Sequence, residues 1–352
     1  MSQSVGNTPP THSRENSDCT TKASKRAKLP VLARICDDIR AAIRGYRPPG
    51  PWPHLSELSS LISAFLQDEE MPSMHINFET IKACRLDKLL EDILNPKHHP
   101  RRPPKELCDL VANARTLQEK WSSRFGQEYC AMDEMRSSEL KQTGLLKDLY
   151  FEVEDGNPGW RIRKGRGLSG DAVTNTSLEP GQWFINMACA YRSGMSGTSI
   201  ETLAKNGVKI LPLLWGNEEH SERELTRYTR EGDASEMAHS LLSQVGQRVH
   251  VLRGHRLRSP YSPEAGIRYD GIYIIRSFGL KLDPHTDTYR MSLTMEQAPG
   301  QERVEALQLI PRPSQLDDWQ LYQKVEECEI QRTGVDEFET WRAMQKGDRV
   351  VF

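Results

Sequence analysis

"RVHVLRGHRLRSPYSPEAGIRYDGIYIIRSFG", residues 248–279, carries the plainest structural pattern in the chain. Val249 and Val251 alternate with His250 and Leu252, the period of a strand with one face buried. Arg253-Gly254 closes that strand. The next segment gathers Pro260, Tyr261, Pro263 and Gly266, residues that favour a loop. Asp270-Gly271 then reads as a tight turn ahead of a second strand, "IYIIRSF". His255, Arg256, Arg258 and Arg268 interleave with Tyr261 and Tyr269. Such a set suits phosphate contact and base stacking, and it equally suits a hairpin loop whose tyrosines cap a core.

The rest of the chain limits what this segment can belong to. With 352 residues, 37% hydrophobic, the chain is long enough for two domains and lean enough to need solvated stretches between them. The formal net charge of −2 means that a nucleic-acid surface has to be a local basic patch. The seven cysteines are scattered, without a CxxC pair or other metal-ligand spacing, which suits a reducing compartment. There is no apolar leader and no long apolar run, so a soluble intracellular protein is expected, with no membrane contact.

Residues 1–28 are polar and read as a disordered basic tail. Within it Lys22, Lys25, Arg26 and Lys28 form either a nuclear-import signal or phosphate contact, or merely a solvated cluster. Residues 29–128 read as a helical bundle. Leu32, Ile35, Ile39 and Ile43 mark one helix, and Ile81, Leu86, Leu89, Leu90 and Ile93 another. "NPKHHPRRPPKE", residues 95–106, reads as a linker. Residues 129–155 continue as a helical connector. From 156 to 303 glycine rises and short strands are expected in "GQWFINM", "VKILPLLW", "QRVHVLRG", "GIYIIRSFGL" and "TYRMSLTM", with one helix in "ASEMAHSLLSQVG". Residues 304–352 return to a helical tail. The fold class is α+β.

The stretch from Arg253 to Tyr273 resembles the signature of the SRA-YDG (SET- and RING-associated, YDG motif) family. The matching residues are Arg253-Gly254, Tyr261, Pro263, Gly266, Arg268-Tyr269-Asp270-Gly271 and Tyr273. "EPGQWF", "SGMSG" and Pro299-Gly300-Gln301 extend the similarity over roughly residues 181–303. A weaker similarity links residues 81–125 with the N-terminal helical domain of transcription elongation factor TFIIS. The SRA resemblance implies a curved β-barrel with packed helices. It also implies recognition of 5-methylcytosine flipped out of duplex DNA, in the nucleus, with no catalysis, cofactor or metal. Chromatin proteins are expected partners for the helical bundle.

By the same resemblance, Tyr228 and Thr229 in "RYTREGD" stand where family members line the base pocket, although Tyr228 can equally pack on the sheet. Trp215 supplies a second stacking face, and Glu218 or Glu219 accepts from the cytosine amino group, or belongs to a solvated acidic loop. Arg230, Arg256, Arg258 and Arg268 are expected on the DNA backbone. Tyr269, Asp270 and Gly271 are architectural. The short "REGDASEM" segment departs from members with a longer groove-inserting loop there. A divergent scaffold that has lost base flipping is the alternative. No RING, PHD or nuclease pattern accompanies the motif, so no enzyme is expected.

Overall fold

Residues 16–154, 157–163, 178–197, 202–204, 209–220, 225–234, 237 and 239–333 are described by the computed structural model, with backbone alone at 16–28 and beside some undescribed stretches. They fall into two units, Met1–Met132 and Asp133–Phe352.

The first unit begins with α1, Asn16–Gly45. Helix therefore replaces most of the tail expected up to residue 28. From Asn16 to Leu29 there is no glycine or proline, and Lys, Ala and Arg are good helix formers. The side chains of Lys22, Lys25, Arg26 and Lys28 lie outside the described residues, as do residues 1–15. The buried face of α1 is Cys36, Arg40 and Ile43, one position round from the expected stripe, and Ile35 is exposed. Arg40 turns inward because Asp92 meets it there: Nε lies 2.8 Å from the carboxylate.

Four elements complete the core of the bundle: α2 (Leu55–Asp68), α3 (Phe78–Cys84), α4 (Leu86–Leu94) and α5 (Lys105–Phe125). Asn77 caps α3 by accepting from the Thr80 amide at 2.9 Å. Ile81, Leu86, Leu89, Leu90 and Ile93 are all buried, although Arg85 at φ 53° splits their helix in two. Trp121 of α5 is fully buried against Phe65, and its Nε1 donates to Glu69 at 3.0 Å. The expected linker at 95–106 is instead part of the bundle. Trp52 Nε1 donates to the His98 carbonyl at 2.9 Å, and the His99 ring bonds the Ile93 carbonyl at 2.7 Å. The short α6, Gln127–Cys130, follows.

In the second unit, α7 (Met132–Gln142) leads to an antiparallel hairpin of β1 (Leu149–Glu154) and β2 (Asn157–Ile162). A larger mixed sheet then forms from β3 (Trp183–Phe184), β4 (Met195–Gly197), β5 (Thr202–Ala204), β6 (Lys209–Leu213), β7 (Asn217–His220), β8 (Leu225–Gly232), β9 (Arg248–Gly254), β10 (Ile267–Asp283) and β11 (Thr288–Gln297). The order is β4-β5-β6-β9-β10-β11-β8-β7, with β3 on β10 and β6 parallel to β9. Among the described residues its two ends do not pair, so the expected barrel is an open sheet.

Strand alternation sends side chains into two cores. Ile210, Leu252, Ile267 and Tyr269 meet Trp183, Phe184 and the helix α9 (Pro313–Gln331) through Leu321, Tyr322 and Val325. Helix α8 (Met187–Arg192), which the sequence pattern did not suggest, joins the same core. On the other face Leu211, Leu213, Val249, Val251, Tyr273, Met291 and Leu293 close around Tyr228. The C-terminal segment is thus helical at 313–331 and part of this unit's core, while 334–352 lies outside the described residues. In place of the helix expected at 234–246, only a 3₁₀ stretch, His239–Gln244, is described.

Candidate nucleic-acid interface

Arg253, at the end of β9, is fully buried, and so are its partners. Its Nη2 stands 2.7 Å from Glu218 Oε1, and its Nη1 stands 2.8 Å from Asp270 Oδ2 and donates to the Tyr273 hydroxyl at 3.1 Å. Arg268 continues the chain: it pairs with Asp270 and donates to the backbone carbonyls of Tyr261, Leu307 and Ile310. Two cations and two carboxylates therefore neutralise one another inside the unit. Each carboxylate holds more than one hydrogen bond, the condition under which buried charge is tolerated.

Asp270-Gly271 is not a hairpin turn. It lies inside the 17-residue β10, where the pairing with β9 shifts between Tyr269 and Ile272. Gly271 has φ 92°, and a Cβ there would overlap the Gln301 side chain, which accepts from the Ile272 amide at 2.8 Å. A bulge, not a turn, needs the glycine. The Pro299-Gly300-Gln301 segment docks on this bulge, a contact that matching the two motifs separately does not reveal.

The loop between β9 and β10, residues 255–266, is fastened to the start of β7. The Arg258 amide donates to the Gly216 carbonyl, and the Glu218 amide to the Arg258 carbonyl, both at 2.9 Å. Ser259 Oγ donates to Glu218 at 2.5 Å. Tyr261 packs its ring 4.6 Å from that of His220 and donates to Glu305 at 3.2 Å. From this pinned loop Arg256 and Arg258 project into solvent, and neither forms a side-chain ion pair among the described residues.

The residues expected to line a base pocket are distributed differently. Tyr228 is completely buried, and its hydroxyl donates to the Trp215 carbonyl at 2.7 Å. Burial pushes its phenol up to about 12 against the opposing pull of Arg230. Gly216, at φ 105°, passes so close that a Cβ would lie 2.6 Å from the Thr229 carbonyl and 3.0 Å from the Tyr228 ring. Tyr228 thus packs on the sheet and presents no open face. Glu218 is consumed by Arg253 and Ser259. Glu219 is exposed opposite Arg227, and Thr229 is half-buried between Asn217 and Ser292. Arg230 and Arg268 are buried, so neither can reach a DNA backbone in this conformation. Side-chain type suggested exposed cations, but the buried Asp270 carboxylate two residues on and the distant carbonyls of Leu307 and Ile310 draw Arg268 inward.

A cleft of about 40 Å³ with mixed polar and apolar walls lies beside the loop, lined by His220, Thr226, Tyr273, Gln297, Arg303, Val304 and Glu305. At ~10–15 Å³ each it holds a few waters.

Burial pushes the Glu218 carboxyl up, but the Arg253 charge, its hydrogen bonds and that of Ser259 outweigh it, leaving the pKa below its ordinary 4.5. Because the folded value lies below the unfolded one, the unfolded chain takes up the proton first as pH falls. The stabilisation is therefore complete above the unfolded value and is lost as pH drops through the folded one. Urea midpoints measured from about pH 5 down to about pH 3 should fall more steeply for wild type than for E218Q. Equal slopes would remove Glu218 from the acid response.

No family model matches the chain, and no curated protein matches it. Among solved structures, "SUVH5 SRA- methylated CHH DNA complex" is 15% identical over 36% of this chain and 94% of that one, with a TM-score of 0.26. A "modification dependent TagI restriction endonuclease" is 15% identical over 47% of this chain and 57% of that one, also at 0.26. Arabidopsis thaliana SUVH6 in complex with SAM is 15% identical over 72% of this chain and 42% of that one, at 0.25. At such scores the overlap assigns neither fold nor function, and the functional case rests on the chain's own residues.

Proposed function

We propose that the unit from Asp133 onward binds duplex DNA through the loop at 255–266, with modified cytosine as the feature it selects, and that it catalyses no reaction. The observation that carries this is the pairing pattern of the arginines. Arg253 and Arg268 are locked into the interior, whereas Arg256 and Arg258 stand exposed on a loop those same arginines hold in place. A loop whose backbone is already fixed presents cations to phosphates without a further loss of backbone freedom. The resemblance of Arg253–Tyr273 to the SRA-YDG signature supports 5-methylcytosine as the target and the nucleus as the place of action. The helical bundle then offers a surface to chromatin proteins.

Under this proposal phosphate contact comes first. Base entry requires the Trp215–Tyr228 region to open, because Gly216 leaves no gap there. That closure is also what favours the second reading, a scaffold that has lost base flipping. Equilibrium binding of the full chain to matched duplexes with unmodified, hemimethylated and fully methylated CpG separates the two. Tighter binding to a methylated duplex is the expected result. Equal, salt-sensitive binding leaves phosphate contact alone, and absence of binding favours the scaffold.

A further inference from the structure

The inner face of Trp215 is already occupied. Arg230 follows Tyr228 by two residues on β8, so both side chains point into the same core, opposite Met291 and Leu293 of β11. The Arg230 guanidinium carbon lies 5.1 Å from the centre of the Trp215 ring, within cation–π range. Arg230 is only 3% exposed, and it also reaches the hydroxyl of Tyr228, which in turn is anchored to the Trp215 carbonyl. A guanidinium is flat, delocalised and edged with donors, so in shape and π character it stands in for a small heteroaromatic ring. Trp215 itself is only partly buried, so the slot lies at the margin of the core, not in its depth.

We propose that Arg230 is an intramolecular plug in a slot for planar π ligands, formed by the Trp215 indole and closed behind by Tyr228, and that its withdrawal opens the slot to a nucleobase. The proposal rests on the DNA-binding reading for its natural ligand but not for the slot itself. In the resting state the plug keeps Trp215 covered, so duplex contact through Arg256 and Arg258 proceeds without a base in place. A ligand then competes with a tethered guanidinium already held at high effective concentration. Weak binding of free bases by the wild type and gain of binding on removal of the plug both follow.

The test uses the full chain carrying Arg230→Ala, with methylguanidinium chloride as probe and tetramethylammonium chloride at equal concentration as the ionic control. Methylguanidinium should raise the melting temperature of R230A and leave wild type unchanged, with an apparent affinity for the variant about tenfold or more above that for wild type. 5-Methylcytidine should quench tryptophan fluorescence in R230A, weakly or not at all in wild type, and not in R230A/W215F. Should R230A not fold, Arg230→Met keeps an unbranched stem in the core, lacks the cation and the planar fork, and carries the same measurements. Failure of methylguanidinium to distinguish the variant from wild type overturns the plug whatever the duplex data show. Rescue without any duplex binding keeps the slot and removes nucleic acid as its ligand.

Discussion

Arg253→Ala should destabilise the second unit by about 3–5 kcal/mol, the penalty for breaking a buried ion pair by removing one partner. Its loss strands Glu218 and Asp270, both buried, with Ser259 and Arg268 as their remaining side-chain hydrogen-bond partners among the described residues. A domain is stable by only about 5–15 kcal/mol, so about a fifth or more of its margin disappears. The loop at 255–266 should loosen as well, because its anchor Ser259 bonds the same Glu218. Urea unfolding of the full chain, read by near-ultraviolet circular dichroism, gives the midpoint shift. Hydrogen exchange at Arg258 and Glu218 reports the loop directly, since each amide donates to the partner segment. A shift below about 1 kcal/mol would mean that the network is screened like a surface pair. Replacing Arg253 and Glu218 together with neutral residues of similar volume should recover part of the loss, since Asp270 then keeps Arg268 and apolar substitutes for a buried ion pair are often neutral.

The second large effect belongs to the helical unit. Trp121→Ala should lower its stability by about 3–5 kcal/mol through lost transfer energy and the cavity left behind. Trp121 is fully buried between α2 and α5, with its ring 6.0 Å from Phe65 and its indole nitrogen on Glu69. Glu69 keeps Arg124, at 2.6 Å, so the loss is mainly one of packing and not of an orphaned charge. Trp121→Phe should therefore recover most of the stability. The check is amide protection in α2 and α5, which should fall in the alanine variant while the sheet of the other unit is unchanged. Equal loss in both units would show that Trp121 acts on more than the bundle.

Where apolar residues decide, the pattern was legible. The alternation at Val249 and Val251 and the stripe at Ile81, Leu86, Leu89, Leu90 and Ile93 both end up buried. Where charge is buried, it was not. Arg40, Arg253, Arg268 and Glu218 carry surface-type side chains, and their partners lie 52, 17, 2 and 35 positions away. Except for Arg268 and Asp270 on one strand, spacing along the chain reports nothing about such pairs. The same limit explains Ile35, which lost the core position to Cys36 and Arg40 once Asp92 drew the arginine inward. Asp270-Gly271 has the composition of a turn, yet the glycine's positive φ serves a bulge, and only the docked Gln301 separates the two. At the candidate interface, the loop arginines at 256 and 258 project as residue type suggests, whereas Tyr228 and Arg230 face inward because β8 alternates and its inner face is core.

The central claim is that Arg256 and Arg258 contact DNA phosphates. It is tested most directly by duplex binding of wild type and the double variant R256A/R258A across a range of salt. Each phosphate contact contributes a slope of about −0.9 in log K against log salt, so the variant should bind more weakly and its slope should be shallower by about 2. Its melting temperature should match that of wild type, since neither side chain takes part in the buried network. An unchanged slope with unchanged affinity would contradict the account and take the loop out of the interface.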